Sequence, residues 1–195
     1  MRNLFFFLII LSSSAAAQKM ELVWGSLVQL KGQQSYDIKF RYDSMVVGND
    51  IPEKKYLNEK KTQWEEKEPG RGEAFVKFWF SDRKDLYEPT FIQSFEKYAK
   101  VKLKDKNARY TLILKTIHTE GGWSGGPLNQ PAVVDGELSV VESADTSKVI
   151  ARIIFYNFDG TEFYGGDFDM MSRIQSAYQR VGKGLGDFLK RKSGK

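Results

Sequence analysis

The sequence contains no cysteine. That absence excludes a disulfide framework, so the fold must hold together by packing. It also excludes lipid attachment at an N-terminal cysteine and any thiolate metal site. Histidine is nearly absent too. His118 alone stands for the residue type that most often serves as a general base or zinc ligand, so neither a histidine pair nor a relay of histidines is available. Strong charge of one sign is missing as well. Thirty basic against 25 acidic residues, interleaved along the chain, select no partner class and do not single out nucleic acid. No apolar run is long enough to cross a membrane as a helix.

The one apolar run is Leu4 to Leu11, preceded by Arg2 and followed by Ser12 to Ser14 and Ala15-Ala16-Ala17. A charged start, a short apolar stretch and small residues form the three regions of a cleavable signal peptide, with the cut expected after Ala17. Residues 1–17 are therefore expected to be removed. The product would be periplasmic or secreted, not a lipoprotein, and would have no membrane span after cleavage.

Residues 18–195 are expected to form a single domain, with 41% hydrophobic and 14% aromatic residues over the whole chain to build a core. Leu22–Leu30 and Tyr36–Tyr42 read as two strands around a turn at Gly32–Ser35, and are expected to pair as an antiparallel hairpin. Residues 51–70 read as a charged helical insertion broken at Pro69-Gly70-Arg71-Gly72. A second helix follows, carrying Phe75, Phe78 and Trp79, and a third opens at Glu88-Pro89 after a break. Tyr110–His118, Ala132–Val141 and Val149–Tyr156 alternate or run apolar as a three-stranded meander. Met171, Ile174, Tyr178, Val181, Leu185 and Phe188 then mark one face of a long final helix, with Arg173 placed on the other. The order β-β-α-α-α-β-β-β-α predicts an α+β fold: an antiparallel sheet of about five strands with helices on one face.

Two oxygen- and glycine-rich stretches invite chemistry. Gly122-Trp123-Ser124-Gly125-Gly126 matches the nucleophile-elbow pattern of α/β-hydrolases, and the segment resembles the nucleophile region of chymotrypsin-like proteases, with Trp123 where that family has Asp. An elbow needs a helix after its serine, and here Pro127, Pro131 and a strand follow. A triad needs a histidine far along the chain, and His118 lies six residues away. No catalytic residue is therefore assigned, and hydrolysis by Ser124 is kept as an alternative. The preferred reading is a connecting loop from Gly121 to Pro127, with His118 before it and Trp123 and Ser124 in it as the binding candidates, and Trp123 expected to fold back over an apolar edge.

The second stretch, Asn157–Glu162 with Gly165–Asp169, lacks calcium-loop spacing. It is read as a turn at Asp159-Gly160 followed by an Asp167 or Asp169 helix cap, so no metal and no cofactor is expected. Gly182, Gly184 and Gly186 in the last helix imply close approach to the sheet or to another chain, which makes a dimerising structural subunit a further alternative.

The meander ending Phe155-Tyr156-Asn157, Gly165–Asp169, Arg173-Ile174, Ala177-Tyr178, and Trp79, Asp82-Arg83 and Tyr87–Phe91 resemble a group of uncharacterised exported bacterial proteins. The resemblance implies an envelope location and a fold but carries no activity. More loosely, the layout resembles the N-terminal domain of TolB. The function expected is an exported, non-enzymatic binding or accessory module for a protein, peptide or glycan of the cell envelope.

Overall fold

The computed structural model describes residues 18–125, 128–160 and 170–194. Chain order is β1 (Lys19–Gly25), a 3-10 turn (Val28–Leu30), β2 (Asp37–Arg41), β3 (Val46–Val47), β4 (Ile51–Pro52), α1 (Glu53–Lys67) and α2 (Arg71–Asp82). A π-helical turn (Arg83–Tyr87) leads into α3 (Glu88–Ala99). Then come β5 (Tyr110–Glu120), β6 (Trp123–Gly125), β7 (Leu128–Gln130), β8 (Ala132–Glu142), β9 (Asp145–Gly160) and α4 (Met170–Ser193). The fold is α+β, as the pattern predicts, with a seven-stranded sheet ordered β1-β9-β8-β5 and β2, β3 and β4 beyond β5.

The sheet is mixed, which corrects the expected antiparallel one. β2 and β3 both run parallel to β5, Ile38 beside Leu112 and Val46 beside His118. The expected β1–β2 hairpin does not form. β1 pairs with β9 at one edge of the sheet, and β2 lies across it beyond β5. The reason lies in the connection. Leu27, Leu30 and Tyr36 are buried at 1%, 0% and 1% exposure, and the 3-10 turn packs on α4. Those side chains anchor a crossover over the helical layer where a surface turn would have left them in water. The predicted first strand accordingly stops at Gly25.

Two further boundaries differ. Pro89 does not break the chain, because it sits in the first turn of α3, where its missing N–H leaves no bond unmade. β9 continues through Gly160, so Asp159-Gly160 is strand and not a turn; the two proposed caps of α4, Asp167 and Asp169, lie outside the described residues.

The core lies between one sheet face and the α3–α4 pair. Leu112, Leu114, Leu138, Ile153 and Phe155 meet Phe91, Phe95, Ile174, Tyr178, Val181 and Leu185, all buried. The predicted stripe of α4 faces inward in full. Gly182 and Gly186 account for the close approach. A Cβ on Gly182 would lie 2.6 Å from the Phe91 carbonyl oxygen, and one on Gly186 would lie 2.9 Å from that of Phe95. Their partner is α3 of the same chain.

A candidate binding groove beside the α1–α2 hairpin

α1 and α2 form a second, looser helical layer. α1 is charged nearly all round and buries only Leu57, while α2 buries Gly72 and Trp79. The two helices turn tightly because Gly72 lies under α1, where a Cβ would stand 2.3 Å from the Lys61 carbonyl oxygen. Glu65 reaches across the turn and accepts the Gly70 and Gly72 N–H groups at 2.7 and 3.0 Å.

A polar pin fastens this hairpin to the body. Glu53, at the start of α1, accepts the Trp79 indole N–H at 2.6 Å and pairs with the Arg83 guanidinium. Arg83 lies 4.2 Å from the Tyr42 ring centroid, and the Tyr42 hydroxyl donates to Glu88 at 3.3 Å. Burial pushes the Tyr42 hydroxyl and the Glu88 carboxyl above their ordinary ranges, and lifts Tyr178, which shares a 2.5 Å hydrogen bond with Thr116, to about 12. The tyrosines are therefore neutral at physiological pH, and the cluster connects α1, α2, α3, α4 and the sheet.

Between the hairpin and the sheet end lies a groove of about 870 Å³. Tyr56, Trp64, Phe75, Phe78 and Leu86 line it together with Met170 and Met171 of α4. Val47 of β3 and the following Gly48 and Asn49 contribute, as do Glu120 at the end of β5 and Gly121 and Gly122 after it. Aromatic rings and thioethers are polarizable and adapt to different shapes. Phe78 remains 55% exposed, a high value for so large an apolar side chain. At the rim the Trp64 ring has Lys67 at 4.4 Å and Arg71 at 4.3 Å, within cation–π range. The Trp64 Nε1 is buried with no hydrogen-bond partner among the described residues. The Tyr56 hydroxyl, raised to about 12 by burial, lies 3.8 Å from the Met170 sulfur.

Where a plain loop was expected from Gly121 to Pro127, the described residues on either side form an arm. Beyond the root at Gly121-Gly122, β6 and β7 pair as a ribbon, Trp123 opposite Gln130. Gly122 takes a φ of +62°, and a Cβ there would lie 2.3 Å from the Gln130 carbonyl oxygen, so the kink needs glycine. Arg173 was placed on the outer face of α4, yet it is 7% exposed. Its Nε–H donates to the Gly121 carbonyl at 3.0 Å and its Nη2 to that of Gly122 at 3.2 Å, which locks the arm's root to α4.

His118 and Trp123 are each held by different partners. Trp123 does not fold back. It is 47% exposed, its indole N–H donates to Gln130 at 2.9 Å, and it does not line the groove. Ser124 lies on β6 opposite Asn129, followed by a strand where an elbow requires a helix; its side chain lies outside the described residues. His118 sits on β5 with Nδ1 3.0 Å from Asp135 and Nε2 2.8 Å from the Gly48 carbonyl oxygen, both nitrogens engaged away from Ser124. Of the oxygen-rich stretch, Asp159 pairs with Arg180 at 2.5 Å, while residues 161–169 lie outside the described part. Among the described residues no group of three or more carboxylates and histidines is arranged for a metal, and no helix is long and apolar enough to cross a membrane.

No protein-family model and no curated relative matches the chain. Solved structures to which the chain is similar include the PelC dodecamer from Paraburkholderia phytofirmans, 12% identical over 86% of this chain and 96% of that one, with a TM-score of 0.39. A point variant of that dodecamer is 14% identical over 87% and 97%, with a TM-score of 0.37. A Xanthomonas campestris protein of the DUF330 family is 13% identical over 80% and 82%, with a TM-score of 0.40. No assignment is drawn from these likenesses.

Proposed function

We propose that the chain is an exported, non-enzymatic binding module whose groove between α1–α2 and the sheet end takes an apolar-rich peptide segment of a partner protein. The observation carrying this reading is the wall of Tyr56, Phe75, Phe78, Leu86, Met170 and Met171, left open with Phe78 half in water. A globular chain gains by covering such a surface, and aromatic and methionine side chains suit apolar peptide groups of varied shape. The arm carrying Trp123 stands at the groove's end through its root Gly121-Gly122 and offers a second, peripheral contact. Export rests on the signal-like residues 1–17; an intact mass starting at Gln18 supports it, and a product retaining Met1 would overturn it.

The alternatives have less behind them. Ser124 has a strand after it and His118 turned elsewhere, and full retention of any esterase activity in Ser124→Ala would dispose of it. Dimerisation through the α4 glycines competes with α3, which already occupies that face.

The test is selection of a random peptide library on the purified chain, with Phe78→Asp as counter-target. Phe78 is exposed enough for the variant to fold. Enriched peptides should carry aromatic or aliphatic anchors and bind the variant at least about tenfold more weakly, the size of a modest hot spot. Peptides that bind both proteins alike, or no enrichment at all, would refute the groove.

A further inference from the structure

His118 does something that the groove by itself does not require. Its Nδ1 faces Asp135 Oδ2 at 3.0 Å and its Nε2 faces the Gly48 carbonyl oxygen at 2.8 Å. A carboxylate and a carbonyl only accept hydrogen bonds. A neutral imidazole carries one N–H and can satisfy one of them; only the imidazolium, with two N–H groups, satisfies both. The acceptors are held in place. Asp135 Oδ1 accepts the Asn157 N–H at 2.6 Å, and Asn157 has the left-handed φ of 58° beside the register shift at Val134/Gly136. Gly48 has a φ of 60° and donates its own N–H to the Thr119 carbonyl at 3.0 Å. Gly48 and Asn49 are at the same time part of the groove wall.

We propose that His118 is a proton-operated latch of the groove: charged, it bridges Asp135 and Gly48 and holds the Gly48–Asp50 turn in place as groove wall; neutral, it lets that turn go. When the proton leaves, the remaining N–H stays with the carboxylate, the stronger acceptor. Nε2 then points a lone pair at the Gly48 carbonyl, and the turn keeps its backbone ties: the Gly48 N–H to Thr119, the Asp50 N–H to the Gly48 carbonyl at 2.8 Å, and the short pairings of β3 with β5 and β4.

The groups around the ring set the direction. Asp135 faces it from β8, Asp50 from the β3–β4 turn, and Glu120 lies beside Gly48 on His118's own strand; β9 contributes the Asn157 N–H to Asp135. The Asp135 hydrogen bond, opposed by burial and helped by Gly48 and the two aspartates, holds the imidazole above its ordinary 6.5. The latch is therefore complete below 6.5 and is lost as pH rises through the raised value. Its effect on ligands rests on the groove being the binding site; its effect on the turn does not.

Because His118 is the only histidine, every imidazole resonance of the untagged chain reports on it. In an NMR pH titration the imidazole midpoint should fall above 6.5, and the amides of Gly48, Asn49 and Asp50 should move with the same midpoint. Asp135→Asn should lower that midpoint. Its carboxamide can donate to a neutral Nδ1 and leave Nε2–H on Gly48, so the turn's amides should stay still in this variant. The probe 1-anilinonaphthalene-8-sulfonate, with Phe78→Asp as the control for groove binding, should lose about two- to tenfold in affinity across the wild-type titration, the worth of one hydrogen bond. A midpoint at or below 6.5, or turn amides that ignore the imidazole, overturns the latch even if the probe binds. Amides that follow while the probe never binds the groove uphold the latch and sink the binding reading instead.

Discussion

α1 and α4 are both long, charge-rich helices, and they are used in opposite ways. α4 turns a continuous stripe from Met171 to Leu189 into the core, and Gly182 and Gly186 let its backbone close onto α3. α1 buries Leu57 alone and is held through the Glu53 pin and the Gly72 turn. One layer is packed side chain into side chain; the other is fastened at a few points and leaves a groove beneath it. Stability concentrates in the first layer, and open apolar surface is left in the second, where local opening is cheap.

That contrast can be broken from either side. The largest effect expected is Phe95→Ala at the α3–α4–sheet junction. Phe95 is fully buried, so the variant should lose about 3–5 kcal/mol in urea unfolding, with all probes moving together. Next is Glu53→Gln, which removes the charge opposite Arg83. About 2–3 kcal/mol is expected, less than for a wholly buried pair because the Glu53 side chain is 18% exposed. Here hydrogen exchange should accelerate in α1 and α2 first; uniform acceleration would show that the hairpin is no separate unit. Gly182→Ala forces its Cβ against the Phe91 carbonyl and should cost about 1–3 kcal/mol, measured the same way. At the small end, Lys55→Ala removes an exposed, 3.9 Å pair with Glu59 and should change stability by under about 0.5 kcal/mol.

Much of the packed layer was legible in the sequence. The α4 stripe, the meander strands β5, β8 and β9 and the charged character of α1 follow from periodicity, which depends on neighbours a few residues away. The groove was not legible. Tyr56 and Trp64 stand out as rare large apolar residues in a charged helix, and that was the available signal; that Phe75, Phe78, Leu86 and Met170 would face them depends on how two layers meet. Trp123 and His118 stand out by type, but the loop became a paired arm, and the histidine's partners, Asp135 and Gly48, lie 17 and 70 residues away.

What the sequence determined alone is local: the helices α1 to α4 and the main strands β2, β5, β8 and β9, that no disulfide joins them, and which face of α4 is apolar. Tertiary structure decided the rest. β2 lies parallel beside β5 because Leu27, Leu30 and Tyr36 are worth more buried than exposed around a hairpin turn. Arg173 turned inward because two carbonyls at the arm's root needed a donor there. His118 is poised to titrate because strands from distant parts of the chain bring two acceptors to one ring. No local pattern encodes such pairings, since their energy exists only once the surfaces have met.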